Sequence, residues 1–210
     1  FVTNWYDNKV TVINLHNKKV SKEINVGKSP AGIYVDKIFK KIYVANREDN
    51  NVSIISLDNL EEITRIEVEK APFGVFSSAN SKFVFITNVQ SSSISLIGKE
   101  NDKVVKNIKV GKWPYQVVVN QNNKLAYVTN QRDDSISIID INEKKVINTL
   151  ENVCEYPEGI DISYDENLLI VACWFEDNLT LINLENNHIE KKISMSGGPR
   201  AFGKFILKKK

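Results

Sequence analysis

The chain has 210 residues, which is within the range of one all-β domain, and its 28 Lys and Arg against 26 Asp and Glu leave a net charge of +2. This balance produces no field strong enough to indicate duplex nucleic acid or an anionic membrane as a partner. No apolar run approaches the roughly 18 residues that a membrane span requires, so membrane insertion is not expected.

One tetrapeptide recurs along the chain at an interval of 42 residues, and such a period indicates a repeat architecture. It stands at 1–4 (Phe-Val-Thr-Asn) and returns at 43–46, 85–88 and 127–130, always ending in Asn. A fifth copy at 170–173 ends in Cys instead. The prolines keep the same period, and all five belong to it: Pro30, Pro72, Pro114, Pro157 and Pro199.

Each repeat contains the pattern of four strands, and the third complete copy shows them in order. Residues 115–120 and 125–130 are two strands joined by the polar turn 121–124. After the loop 131–134, the alternation at 135–139 is typical of a half-buried strand, and the turn 142–144 leads into a fourth strand at 145–150. No segment has the 3.6-residue apolar period of a helix, so helices are not expected.

A four-stranded sheet with two apolar faces needs neighbours on both sides, and a ring of sheets supplies them. A linear stack would need dissimilar end copies, whereas the first and last copies here are ordinary. The sequence therefore predicts a single domain, 1–210, that is an all-β propeller of five four-stranded blades. Pairing of the first strand piece (1–4) with the last (200–207) would close the ring. The alternative is a fragment of a seven-bladed propeller.

Three motifs resemble those of a known family: Tyr-Val-Thr-Asn at 127–130, Gly-Lys-Trp-Pro at 111–114 and Ser-Ile-Ser-Ile-Ile-Asp at 135–140. Together they resemble the YVTN-repeat β-propeller family along the entire chain. The resemblance implies a periplasmic, extracellular or cell-surface location, because members are usually exported proteins of bacteria and archaea. Members typically have about seven blades, so five copies depart from the pattern.

A propeller presents the loops between its fourth and first strands and between its second and third strands on one face, which is the usual place for function. The predicted loops of this top face hold every Trp and three of the four Arg. Aromatic and guanidinium groups suit planar or anionic ligands. The predicted ligand-binding residues are Trp5, Arg47, Phe73, Trp113, Tyr115, Arg132, Tyr156, Glu158, Trp174 and Arg200. Among these, Glu158 and Arg200 are expected to meet at the channel mouth.

The two cysteines replace residues at two special positions of one repeat. Cys154 occupies the position of Gly27 and Gly111, and Cys173 occupies that of the repeated Asn. Since antiparallel pairing places the start of the first strand beside the end of the second, a Cys154–Cys173 disulfide is predicted. It would agree with an oxidising compartment. Two reduced thiols are the alternative, and a zinc site is disfavoured because no His lies nearby.

The residues favour a binding module over an enzyme. His16 and His188 fall in predicted outer turns, and no phosphate-binding or nucleophile motif occurs. Glu158 beside Arg200 is interpreted as an ion pair. The recurring carboxylates Asp7, Asp49, Asp133 and Asp177 are interpreted as backbone caps in turns, so no catalytic residue, metal or cofactor is assigned.

The predicted function is an exported scaffold that binds a protein, peptide or small anionic ligand on its top face, as a monomer unless it joins a larger assembly. Two alternatives stay open. One is a hydrolytic or cofactor-assisted enzyme that uses the channel mouth. The other is binding of single-stranded nucleic acid, whose bases stack on aromatic side chains.

Overall fold

The computed structural model describes residues 1–206 except 121 and 123. Its regular structure there consists of strands and one 3-10 turn at Val89–Ser91. The expectation of an all-β chain is therefore confirmed. The described part of the chain contains no helix of the length and apolarity needed to cross a bilayer.

The strands form five antiparallel sheets, one for each repeat, with neighbouring strands consecutive in sequence. Sheet 1 comprises β1 (Val2–Asn4), β2 (Lys9–Asn14) and β3 (Lys19–Asn25). Sheet 2 comprises β4 (Pro30–Asp36), β5 (Lys41–Asn46), β6 (Asn51–Ser56) and β7 (Glu62–Glu67). Sheet 3 comprises β8 (Pro72–Phe76), β9 (Phe83–Asn88), β10 (Ser93–Gly98) and β11 (Lys103–Lys109). Sheet 4 comprises β12 (Pro114–Val119), β13 (Leu125–Asn130), β14 (Ser135–Asp140) and β15 (Lys145–Leu150). Sheet 5 comprises β16 (Pro157–Ile162), β17 (Leu168–Cys173), β18 (Asn178–Asn183) and β19 (Ile189–Ser194).

The repeated Pro and Asn mark one end of each sheet. In sheet 4, Pro114 is the first residue of β12 and lies opposite Asn130, the last residue of β13. A proline is tolerated at the first residue of a strand because it can leave its missing N–H outside the ladder. Asn130 is buried, and its Nδ2 donates to the hydroxyls of Ser135 and Ser137 on β14 at 3.1 and 2.9 Å. The repeated Asn is thus a structural clamp between the second and third strands.

The chain divides into two compact units, one up to Asn107 and the other from Ile108 onward. In the first unit, alternation along β5 separates two hydrophobic clusters. Ile42 and Val44 pack towards Val10 of sheet 1, whereas Tyr43 packs with Val84 of sheet 3. Because successive side chains of a strand point to opposite faces, sheet 2 is covered on both sides.

The second unit contains sheets 4 and 5, and their first strands lie close together. The Thr129 hydroxyl of sheet 4 donates to the Glu158 carbonyl of sheet 5 at 2.9 Å. Gly159 in turn lies against Ala201, so close that a Cβ at Gly159 would be 2.6 Å from the Ala201 Cβ. These stacked sheets make the architecture propeller-like.

The carboxyl-terminal segment differs from its prediction. Residues 200–206 form no strand, so the predicted strand at 200–207 is wrong over its described part, and residue 207 lies outside the described residues. The backbone N–H groups of Phe205 and Ile206 instead donate to Asp161 Oδ2 at 2.8 and 2.7 Å. The predicted turn 121–124 lies partly outside the described residues, because 121 and 123 are among those left out.

Candidate functional site

The loops that carry the predicted site residues share an unusual backbone conformation. The residue before each repeated proline has a positive φ, which is uncommon for residues other than Gly. These residues are Ser29, Ala71, Trp113, Tyr156 and Gly198, with φ between 52° and 59°.

A side-chain acceptor from the preceding loop holds this conformation in both units. Asn8 Oδ1 accepts from the Ser29 N–H at 3.0 Å, and Asp134 Oδ1 accepts from the Tyr156 N–H at the same distance. A carboxylate also holds the residue before Trp113, since Asp133 accepts from the Lys112 N–H at 2.6 Å. Asp49 and Asp177 also accept backbone N–H groups. The interpretation as caps is therefore confirmed for these three carboxylates, whereas Asp7 accepts no backbone N–H among the described residues.

In the first unit the structure brings three predicted residues together. The rings of Trp5 and Phe73 are 6.3 Å apart between centroids. The Arg47 guanidinium carbon lies 5.7 Å from the Trp5 ring centroid, within the range of a cation–π interaction. All three side chains are partly exposed.

In the second unit Arg132 stacks on Trp113. The guanidinium carbon lies 3.5 Å from the ring centroid, and Arg132 is exposed. No hydrogen bond or ion pair engages the guanidinium within the described part of the chain. The indole covers the face of the Arg132 guanidinium, whereas the N–H groups along its edge are available to a ligand.

The second unit also holds the predicted Glu158–Arg200 pair, which is confirmed. Arg200 Nε and Nη2 donate to the two carboxylate oxygens of Glu158 at 2.6 and 2.8 Å. Nη2 also donates to the Tyr115 hydroxyl at 3.1 Å, and the guanidinium carbon lies 4.3 Å from the Trp174 ring centroid. The hydrogen bond and charge of Glu158 raise the pKa of Arg200 against the opposing effect of burial.

Three aromatic rings complete this part of the second unit. Tyr156 lies 6.2 Å from Trp174 with the rings nearly perpendicular, and Phe175 lies within 4.7 Å of both. Phe175 is 54% exposed, so the cluster has an open aromatic surface. It adjoins Arg200 through Trp174.

Two contacting residues were not predicted. Gln131 is buried and donates from Nε2 to Glu158 Oε1 at 2.7 Å. Phe202 lies 5.7 Å from Tyr115 between ring centroids. Gln131 directly follows the repeated Asn130, so its position in the loop was a usable signal, whereas nothing in the sequence pattern marks Phe202.

The Cys154–Cys173 disulfide is present, with a Cα–Cα distance of 5.9 Å. The equivalent residues of the preceding repeat explain why two cysteines at these positions can form a bond. A Cβ placed on Gly111 would lie 2.8 Å from the Asn130 Cβ, so these two positions are in direct contact. The bond joins the loops that carry Tyr156 and Trp174.

The remaining candidates for chemistry lie apart from these contacts. His16 and His188 are exposed in the connections β2–β3 and β18–β19, as expected. The described residues contain no group of three or more His, Cys, Asp or Glu side chains placed to hold a metal ion.

No protein-family model matches this chain, and no curated protein matches it. Its fold is similar to that of solved structures. One is a structure of hydrazine synthase from Kuenenia stuttgartiensis, with 16% identity and a TM-score of 0.70 over 94% of this chain and 83% of that one. Another is a functionally unknown protein from Desulfotomaculum acetoxidans, with 14% identity and a TM-score of 0.76 over 90% of this chain and 66% of that one. At these identities the likeness is one of fold.

Proposed function

We propose that this protein is a binding module whose aromatic and arginine-bearing loops bind an anionic group of a protein, a peptide or a small ligand. The observation that carries the proposal is Arg132, which is stacked on Trp113 and exposed, with no hydrogen-bond partner among the described residues. Stacking restricts the orientation of the guanidinium while leaving its donors available. The fork of donors matches a carboxylate or a phosphate.

A second pair supports the same chemistry. Arg47 in the first unit lies over Trp5, and its guanidinium also has no hydrogen bond or ion pair within the described residues. Arg65 differs, because it is paired with Glu62 at 2.8 Å on the exposed strand β7. Arg65 is therefore a natural control for an arginine that is not held by an indole.

The enzyme alternative is less well supported. Glu158 was the candidate carboxylate, and its oxygens accept from Arg200 and Gln131. This carboxylate is buried and its oxygens face Arg200 and Gln131, so they are not placed to reach a substrate. Binding is the function that the contacts favour.

The test follows the four arginine side chains by NMR, since each arginine contributes one Nε–Hε signal. The probes are inorganic phosphate, the peptide acetyl-Glu-Tyr-Glu-amide, its Gln-Tyr-Gln counterpart and a ten-nucleotide oligo(dT). We expect phosphate and the acidic peptide to move the Arg132 signal in a saturable way and to leave the Arg65 signal in place.

Variants give the matched comparison. Arg132→Ala is expected to weaken binding of the acidic peptide about tenfold or more, because a charge-assisted hydrogen bond contributes about 1.5–3 kcal/mol. Arg65→Ala should leave the affinity unchanged. Equal binding of the Glu and Gln peptides, or unaltered affinity in Arg132→Ala, rejects the proposal. Preferential binding of oligo(dT) to the aromatic residues would support the nucleic-acid alternative instead.

We further propose that the protein works in an oxidising compartment, in the periplasm or at the cell surface. The support is the buried Cys154–Cys173 disulfide, because such bonds persist outside the reducing cytosol. The resemblance to YVTN-repeat proteins agrees with this location. Alkylation of protein taken directly from cells tests it, since no label should be incorporated before reduction.

We also propose that the five sheets are blades of one propeller ring. The packing of sheet 2 against sheets 1 and 3 in the first unit supports this arrangement, as does the hydrogen bond between sheets 4 and 5 in the second. Small-angle scattering tests it, because a compact chain of this length has a radius of gyration of about 17 Å. A value several ångströms larger would exclude a ring.

A further inference from the structure

The most deeply buried charge of the second unit is the Glu158 carboxylate, whose side chain is 0% exposed. Burial of an unpaired carboxylate is costly, so this position needs a cation. The cation is supplied by Arg200, whose side chain remains 44% exposed. The carboxylate is thus the buried partner of the ion pair, and the guanidinium lies on its solvent-facing side.

The surroundings of Glu158 match a guanidinium in shape as well as charge. The carboxylate accepts two N–H groups of Arg200, and the Tyr115 hydroxyl accepts a further one. The Trp174 ring lies against the planar guanidinium. Gln131 donates to the carboxylate and so helps to fix its orientation. A compact ammonium cannot make the bidentate and stacked contacts together.

Two residues of the pocket lie in regular strands, whereas its occupant does not. Tyr115 lies in β12, Glu158 lies in β16, and Thr129 holds the Glu158 backbone through a 2.9 Å hydrogen bond. Arg200 belongs to the segment 195–206, which has neither helix nor strand. Apart from the hydrogen bonds of Arg200 itself, the backbone of that segment donates to Asp161 and Asp177.

We propose that Glu158, Gln131, Tyr115 and Trp174 form an arginine-recognition pocket, which Arg200 occupies from within the chain and which an arginine of a partner peptide can enter in its place. This inference goes beyond the anion binding assigned to Arg132, because it concerns a different pocket and a cationic ligand. Arg200 acts as a competitor for the partner, so the affinity for an external arginine is reduced by the fraction of time that the pocket is filled.

The experiment uses the hexapeptide acetyl-Gly-Pro-Arg-Ala-Phe-Gly-amide, which reproduces residues 198–203, and the same peptide with Lys in place of Arg. Calorimetry measures their binding to the wild type and to Arg200→Ala. We expect the variant to bind the Arg peptide at least about tenfold more tightly than the wild type, as follows if Arg200 fills the pocket about nine-tenths of the time. The Lys peptide should bind the variant much more weakly.

Two further variants assign the site. Glu158→Gln added to Arg200→Ala should abolish binding of the Arg peptide, because the buried carboxylate is lost. Arg132→Ala removes another arginine stacked on a Trp but exposes no carboxylate, so it should create no such site. Binding that survives Glu158→Gln, or that does not distinguish Arg from Lys, overturns the proposal.

Loss of stability in Arg200→Ala does not obscure the test. Ethylguanidinium chloride should raise the melting temperature of Arg200→Ala in a saturable way, since a ligand that binds only the folded state stabilises it. The wild type should need about tenfold more of the ligand for the same rise. The variant that also carries Glu158→Gln should show none. Absence of stabilisation in Arg200→Ala, together with absence of peptide binding, refutes the pocket.

Discussion

The ion pair between Asp36 and Lys99 makes a quantitative prediction about the first unit. Lys99 Nζ lies 2.6 Å from Asp36 Oδ2, and the two side chains are only 1% and 0% exposed. Lys99 also donates to the Ser78 carbonyl at 2.9 Å. The pair joins β4 of sheet 2 to the residue that follows β10 of sheet 3, so it bridges two sheets.

Asp36→Asn keeps the shape of the side chain and removes its charge. It leaves the Lys99 ammonium buried without a counter-ion, which costs about 3–5 kcal/mol of unfolding free energy. For a chain of this size that loss lowers the melting temperature by about 6–20 °C. Calorimetry and urea unfolding followed by circular dichroism measure both quantities.

The other repeats suggest a matched control. Asp36 is replaced at its repeat position by Ser78 and Ser163, and Lys99 is replaced by Leu57 and Leu184. The double variant Asp36→Ser/Lys99→Leu should therefore recover most of the loss, because an uncharged pair has no charge to desolvate. A cost below about 1 kcal/mol for Asp36→Asn, or a double variant as unstable as the single one, would refute this reasoning.

The pH dependence follows from the same pair. Burial alone raises the pKa of Asp36. The hydrogen bond and charge of Lys99, with the backbone N–H groups of Phe39 and Ile38, outweigh burial and lower the pKa below its ordinary value of 3.8. The folded state then binds fewer protons than the unfolded state, so the pair stabilises above about pH 4 and its contribution is lost as the pH falls further. The double variant should lack this part of the acid sensitivity.

The remaining predictions concern the disulfide and close packing. Replacing Cys154 by Gly and Cys173 by Asn, as in the preceding repeat, should cost about 3 kcal/mol through the freed loop, and dithiothreitol should then have no effect on the melting temperature of the variant. The control is wild-type protein that is unfolded, reduced and then refolded in its reduced form. If its free energy of unfolding equals that of the oxidised protein, the bond is not stabilising. Gly32→Ala places a Cβ 2.3 Å from the Phe73 carbonyl oxygen and should cost about 1–3 kcal/mol by urea unfolding. Gly98→Ala meets mainly a flexible side-chain end, so an equal cost for both would contradict the packing argument.

Local pattern was sufficient for much of the architecture. Period-two alternation and turn residues predicted the strands of each repeat, because both are properties of neighbouring residues. The repeat register then placed residues of different sheets at equivalent positions, which is why the disulfide and the meeting of Glu158 with Arg200 were predicted correctly.

Tertiary structure alone decided which side chains are paired and which are available. Arg47, Arg132 and Arg200 each cover a Trp. Only Arg47 lies one repeat period from its Trp, so the period does not identify all three partners. Residues 200–206 have a strand-like sequence yet form no strand, since strand formation depends on a partner's backbone as well as on local propensity. The difference between an arginine held by a buried carboxylate and one with available donors arises only from these long-range contacts, because it depends on which groups the folded chain brings within hydrogen-bonding distance.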